Sequence, residues 1–307
     1  MRVRQGAVAL ERDLLVPRLT KALRDEGPQL VTGPAGSGGT SLLDAVVHDA
    51  AAGRDVVRVR PSAWAREPFD QVEGLALVRP GTLVGVDNTD LLTWQAAGVL
   101  ARTLEETGAD LLAAGETPGH LLRELSLGVT ALPGLSRAEV AMVSATATGE
   151  PVAVEGVLAM TLHRASGGRF SALTMLLEVP ALLSAVRELA AGDPERAATR
   201  APTLVPAWLG SRLDRADAEV RLAVAATVLA DRDAPLLLLE AAVGTEQLRE
   251  AADLGLLVRR GIDYAPAYAE VRRAVAQMMS PPLRVAAAQR LSEAADVCRF
   301  SVRPRLG

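Results

Sequence analysis

Gly33-Pro34-Ala35-Gly36-Ser37-Gly38-Gly39-Thr40 is the stretch on which the reading of this chain turns. It fits the phosphate-binding pattern G-x-x-x-x-G-K-S/T at every fixed position except the lysine, which is replaced by Gly39. The flanks agree with the motif. Gln29 to Thr32 is apolar with a β-branched centre, and Thr40 to Ala52 returns to helix-compatible residues, so the order is strand, loop, helix. In that setting glycines let successive backbone N–H groups turn inward into an anion nest at a helix N-terminus. The candidate phosphate cradle is therefore Gly33, Pro34, Ala35, Gly36, Ser37, Gly38, Gly39, Thr40 and Ser41, with the Thr40 hydroxyl offered to a magnesium ion. ATP or ADP with Mg2+ is the implied ligand.

The missing lysine sets the expected chemistry. Its ammonium group would give the outer phosphates a charge-assisted hydrogen bond of roughly 1.5 to 3 kcal/mol, or about ten- to a hundredfold in affinity. Weak binding survives such a loss. Hydrolysis suffers more, because the same cation stabilises charge redistributed in the transition state. Lys21 is the one lysine in the sequence and lies outside the loop, so no replacement is at hand.

A second motif points the same way. Thr82-Leu83-Val84-Gly85-Val86-Asp87-Asn88 has the form of a strand ending in a magnesium-associated aspartate, which makes Asp87 the metal-side candidate beside Thr40. Hydrolytic relatives of such strands usually place Glu or Asp next, to polarise the attacking water. The amide of Asn88 takes no proton at neutral pH. Asp90, two residues further on, is the alternative acid.

Outward from these motifs, the chain alternates. Leu14, Leu15, Leu19 and Leu23 recur at helical spacing ahead of Gly27-Pro28. Arg54 to Arg60 and Thr82 to Val86 read as strands, Leu91 to Thr107 as helix and Asp110 to Ala114 as a further strand. Strands alternating with helices imply a parallel sheet covered on both faces. After Leu132-Pro133-Gly134 the strand signal stops. Ser136 to Glu139 has the spacing of a capping box, and helices follow over Val152 to Ala165 and Phe170 to Leu177. Residues 192–203 lack periodicity and read as a linker. Helices resume over Ala216 to Ala230, Pro235 to Val243 and Thr245 to Leu254. Two short strands around a turn follow at Leu256 to Tyr264, and further helices start at Ala267 and Pro281. The division expected is an α/β P-loop NTPase-like domain at 1–134, a helical lid at 135–191, the linker, and a winged-helix-like domain at 204–307.

Composition is consistent with helices packed on aliphatic cores. Hydrophobic residues make up 49% of the 307 and aromatics only 3%, so Leu, Val and Ala must fill the interior. A net charge of -4 gives no global reason to bind nucleic acid or an anionic membrane. The single cysteine, Cys298, excludes an internal disulfide framework and fits a reducing compartment. The first residues carry no signal-peptide apolar run, and no stretch of about 18 uncharged apolar residues occurs, so a cytoplasmic location is expected. His48, His120 and His163 share no metal-ligand spacing with Cys298.

With both motifs in place, the chain resembles the N-terminal ATPase region of the large LuxR-type transcriptional regulators, within the AAA/STAND class. Glu11-Arg12 resembles the Gly-Arg-Glu opening of such modules in altered form. Arg66-Glu67-Pro68-Phe69 looks like the segment before their second helix, and Leu132 to Ser136 like the exit to their lid. Ala252 to Leu257 resembles the junction into their winged helix. Ser166-Gly167-Gly168-Arg169-Phe170 stands where the family usually carries Gly-Gly-Asn-Pro, and Ala114-Gly115-Glu116 where an Arg or Thr often follows the fourth strand. The resemblance implies a regulatory nucleotide-binding or pseudo-ATPase module that works through protein partners or self-association. The family's regulators continue into helical repeats and a DNA-binding helix-turn-helix. This sequence ends at Gly307, as a piece of a longer regulator or one without its output domain.

Two rival readings stand beside it. One is an active ATPase using Asp90 and an arginine in trans. The other is a DNA-binding regulator acting through the winged helix or a separate subunit, although Asp253, Asp263 and Glu270 accompany Arg259 and Arg260 there in a mixed surface.

Overall fold

The computed structural model describes residues 14–302 except 35, 52, 62–69, 73, 118, 231–234 and 262. The sequence features at Glu11-Arg12, Ala35 and Arg66 to Phe69 lie outside the described residues. The chain divides into two compact units. Residues up to His163 with Gly167–Leu173 form the first, and Arg164–Ser166 with the residues from Thr174 onward form the second.

The first unit runs α1 (Leu15–Asp25), β1 (Gln29–Thr32), α2 (Gly39–Ala50), β2 (Val56–Val59), β3 (Leu83–Val86), α3 (Trp94–Thr107), β4 (Asp110–Gly115), α4 (Leu121–Glu124) and β5 (Gly128–Ala131). The strands pair in parallel in the order β2-β3-β4-β1-β5. Side chains alternate across a strand, and here the alternation sorts them into two cores. Leu30, Val84, Val86, Leu111 and Ala113 face Ala96, Ala97, Leu100 and Leu104 of α3. Their neighbours Val31, Leu83, Leu112 and Ala114 face Leu19 and Leu23 of α1 and Leu42, Leu43, Val46 and Val47 of α2. A sheet covered on both faces needs apolar side chains at consecutive positions, which is why these strands read as unbroken apolar runs. Because every strand runs the same way, the loops after β1, β3 and β4 meet at one edge, where ligands of open α/β sheets bind.

Strand β5 carries no comparable sequence signal. It lies at the sheet edge beside β1, its side chains alternate between half-buried and exposed, and Val129 is left exposed. The helix expected from Leu91 begins at Trp94, because the Thr93 hydroxyl accepts from Ala96 N at 3.2 Å and Thr89–Leu91 form a separate 3-10 turn.

Helix α5 (Arg137–Thr148) opens on the capping box read from the sequence. Ser136 Oγ accepts from Glu139 N at 3.3 Å, and Ser136 N donates to Glu139 Oε2 at 2.7 Å. Helix α6 (Val157–Ser166) and helix α7 (Phe170–Glu178) are joined through Gly167 and Gly168, both at positive φ. The Gly168 carbonyl accepts from Leu135 N at 2.7 Å, and a Cβ on Gly168 would lie 3.1 Å from the Leu135 carbonyl oxygen. Glycine is required there by the close backbone approach as well as by its φ.

Helix α8 (Pro180–Ala191) adds to the three helices expected between 135 and 191. The stretch read as a linker is helical too: α9 (Pro194–Arg200) leads into a 3-10 turn at Ala201–Thr203. Asp193 caps it, its Oδ1 accepting from Glu195 N at 2.9 Å, and Pro194 takes the first helical position. So short a helix buries only Ala197, the turn after it only Ala201, and no apolar period is left to read.

The second unit continues with α10 (Leu204–Arg215), α11 (Ala218–Leu229), α12 (Leu236–Val243), α13 (Thr245–Asp253), β6 (Leu257–Arg260), β7 (Asp263–Pro266), α14 (Ala269–Met278) and α15 (Pro281–Val302). Helix α11 is its centre, with Val220 and Leu222 through Val228 buried, and it packs against α12, α13, α14, α15 and β7. A helix apolar all round is one enclosed by its neighbours. Strands β6 and β7 pair antiparallel with Arg260 opposite Asp263, which matches the two short strands read from the sequence. No single helix among the described residues is long and apolar enough to cross a membrane. Only α7 and α8 together, bent by 97°, pass on length and composition.

Just beyond β7, the Tyr268 phenol donates to Glu178 Oε2 at 3.2 Å. Burial, reinforced by the charge of Glu178 and this hydrogen bond, pushes the phenol up from 10.0 to about 12. A group that holds its proton more tightly when folded contributes stability that is intact below its unfolded pKa and lost as pH rises through the folded one. Denaturant unfolding of the wild type should therefore show falling stability from about pH 10 to about pH 12, and Tyr268→Phe should lose this part of the slope.

Candidate nucleotide site

The loop after β1 is held by backbone bonds and by glycines that admit no side chain. Gly33 N donates to the Gly115 carbonyl at 3.1 Å, and Ser37 N donates to the Pro34 carbonyl at 2.9 Å to close a turn. A Cβ on Gly33 would meet Ser37 Oγ at 2.8 Å and Leu132 Cβ at 3.0 Å. Gly36 and Gly38 adopt φ of 80° and 98°, a region that side-chain-bearing residues rarely occupy. Gly38 is the N-cap of α2, and Leu42 N is the donor that returns to its carbonyl, at 3.0 Å. Helix geometry leaves the N–H groups of Gly39, Thr40 and Ser41 without an intrahelical acceptor, facing the end of the sheet where an anion is best stabilised. Ala35 lies outside the described residues. The other expected members of the cradle, Gly33, Pro34, Gly36, Ser37, Gly38, Gly39, Thr40 and Ser41, form this one strand-to-helix connection.

Gly39 is the first residue of α2. A Cβ built on it meets nothing nearer than Ala114 Cβ at 3.9 Å, and its φ is not positive. The missing lysine is therefore not excluded by sterics. Lys21 is elsewhere, on α1, paired with Asp25 at 3.5 Å across exposed surface.

The two metal-side candidates are brought together. Thr40 Oγ1 donates to Asp87 Oδ1 at 3.2 Å, joining residues 47 apart in sequence. The same oxygen accepts from Asn88 N at 3.0 Å, and Asp87 itself is buried at the end of β3. A hard divalent cation takes oxygen ligands such as this hydroxyl and carboxylate, which fits Mg2+. Asn88, which follows, holds φ at 54°, the sole positive value for a non-glycine among the described residues.

Asp90 has another task. Its Oδ2 accepts from Glu116 N at 2.8 Å, and its Oδ1 accepts from Thr117 N at 2.7 Å and Thr117 Oγ1 at 3.0 Å. A carboxylate that accepts from these three donors anchors the turn after β4. The same turn explains why β4 ends without an Arg or Thr. A Cβ on Gly115 would overlap Thr89 Oγ1 and fall 3.2 Å from Thr89 N. Thr89, fully buried, fills the space that such a side chain needs.

The neighbour of this loop from α7 is not legible in the sequence. Ser171 N, in the first turn of α7, donates to the Gly36 carbonyl at 3.1 Å. Only the glycine pair at 167–168, which directs α7, hinted that this helix starts close to another backbone.

No protein-family model and no curated protein matches the sequence. Solved structures of P-loop ATPases do resemble it. A signal transduction ATPase with numerous domains and a tetratricopeptide repeat sensor, from Pyrococcus horikoshii, aligns with 98% of this chain at 14% identity and a TM-score of 0.50. The chain spans about half the length of that protein, 50%. The RuvB Holliday junction branch migration motor of Thermotoga maritima aligns over 83% of this chain and 91% of its own, at 13% identity and a TM-score of 0.45. A Walker-type ATPase of Pyrococcus abyssi aligns over 89% and 97%, at 11% identity and a TM-score of 0.43. At such identities the likeness concerns architecture alone: a parallel five-stranded sheet with flanking helices, the fold of P-loop NTPases.

Proposed function

We propose that this chain is a regulatory nucleotide-binding module of the STAND kind, a pseudo-ATPase resembling the ATPase region of LuxR-type regulators. It holds ATP or ADP weakly, with Mg2+ on Thr40 and Asp87, hydrolyses it slowly or not at all, and signals through a protein partner or a second copy of itself. The observation that carries the reading is the combination of a glycine-rich strand-to-helix turn carrying an uncharged Gly39 with a Thr40–Asp87 pair at 3.2 Å. The cradle gives an anion its donors and the pair gives a cation its oxygens, while Gly39 and Asn88 supply neither the fixed positive charge nor the base that turnover needs. The hairpin β6–β7 and the helices around α11 serve, in this reading, as a winged-helix-like element.

Calorimetric titration of the wild type with ATP and with ADP, each with magnesium, tests this beside a phosphate-release assay. The expected result is measurable heat of binding that Asp87→Ala diminishes in the presence of magnesium, with phosphate release at background. Steady magnesium-dependent release of phosphate overturns the pseudo-ATPase reading. Absence of binding to either nucleotide overturns the nucleotide reading.

A further inference from the structure

The second unit contains a cleft of about 420 Å³ that the nucleotide reading does not use, within the ~300–1,000 Å³ usual for small-molecule sites. It is lined where the end of α7, helix α10, the α13–β6 junction and the residue pair after β7 converge. Its character is amphipathic. Leu257 is buried and Trp208 half-buried, while the carboxylates of Glu178 and Asp253 are on exposed residues. Tyr268, also in the lining, donates its phenol proton to Glu178 Oε2 at 3.2 Å and so restrains that carboxylate.

The charge of the lining decides what it suits. Arg212 is its one cation, and it is turned onto the wall itself: the guanidinium stacks 4.9 Å from the Trp208 ring centroid, and Nη1 donates to the Leu254 carbonyl at 3.4 Å. Two carboxylates against one guanidinium leave a surplus negative charge beside aromatic surface. That combination attracts a cation carrying an apolar body, through ion pairing at the carboxylates and through contact with the rings. An anion meets the opposite balance.

We propose that this cleft binds a small amphipathic organic cation, a primary ammonium or guanidinium group on an apolar body. The head group pairs with Glu178 and Asp253, and the body rests on Trp208 and Leu257. The site stands on the second unit alone and does not depend on nucleotide binding.

Titration of the whole chain with phenethylamine, phenethyl alcohol and hydrocinnamate, followed by calorimetry or ligand-observed NMR, tests it. These probes share one apolar body and differ in charge. The expected order is the amine tightest, the alcohol weaker and the carboxylate weakest. Glu178→Gln and Asp253→Asn should each weaken the amine by roughly three- to tenfold, and the pair together should bring it to the level of the alcohol. Trp208→Ala should weaken amine and alcohol alike. The two carboxylates are on exposed residues, so their variants keep the fold, and an unchanged circular dichroism spectrum verifies it. Equal affinity for amine and alcohol, a preference for hydrocinnamate, no binding of any probe, or indifference to both carboxylate variants overturns the proposal.

Discussion

Gly39→Lys raises the affinity for ATP by about ten- to a hundredfold, the worth of one charge-assisted hydrogen bond to phosphate. Three features of the loop set this expectation. The position opens helix α2, beside the N–H groups that a helix N-terminus leaves without an intrahelical acceptor. Its Cβ has room, with Ala114 Cβ the nearest atom at 3.9 Å. The backbone there is not in the left-handed region, so a side chain carries no conformational penalty. Against the gain stands the unfavourable meeting of a cation with the positive end of the α2 dipole, about 0.3–1 kcal/mol. That term is smaller than the expected gain and acts mainly without nucleotide. The variant should therefore melt close to the wild type when empty and well above it in excess ATP and magnesium. Gly39→Gln isolates charge from size and should gain little. If Gly39→Lys binds ATP no better than the wild type, the loop is not a working phosphate cradle and the functional reading falls with it.

Gly115→Ala should be among the most destabilising single-methyl additions available in the first unit. The new Cβ would fall far inside van der Waals contact of Thr89 Oγ1, with Thr89 N at 3.2 Å and Asp90 Oδ2 at 3.3 Å. Relief requires the 89–90 turn to move, which strains the bonds from Glu116 and Thr117 that hold Asp90. Overpacking of this kind costs about 1–3 kcal/mol, occasionally more. Thr89→Ala removes the worst contact at the loss of one hydrogen bond to the Thr117 carbonyl, 3.3 Å long. The double variant should thus be more stable than the sum of the two single changes implies, with a coupling of about 1 kcal/mol or more. Urea unfolding of the four proteins measures it. Additive effects would mean that Thr89 and Gly115 do not compete for the same space.

The parts of this fold that could be read in advance are those where a local pattern and the global packing coincide. β3 and β4 announce themselves because both faces of each are covered, so that Leu83-Val84 and Leu111-Leu112 divide between opposite cores without a polar interruption. The capping box at Ser136 is legible because both of its bonds lie within four residues. The Thr40–Asp87 pair is legible as two motifs, although only folding brings Thr40 to Asp87. What escaped notice depends on distant partners. Strand β5 is an edge strand whose pairing with β1 is a tertiary fact. Helix α9 is stabilised by a cap and two buried alanines that no periodicity reports. Asp90 reads as a spare acid in sequence and becomes an anchor only once the turn after β4 folds against it.

The peptide unit joining Gly36 to Ser37 is tied at both ends, its oxygen accepting from Ser171 N and its N–H donating to the Pro34 carbonyl. Such a plane cannot swivel toward an arriving phosphate while both ties hold. Whatever rotates it must first unhook the opening turn of α7, and whatever tugs on that turn releases the plane. Cause and effect are interchangeable if a ligand turns this plane on binding: occupancy of the loop and the seating of the first turn of α7 then shift one another by equal free energies.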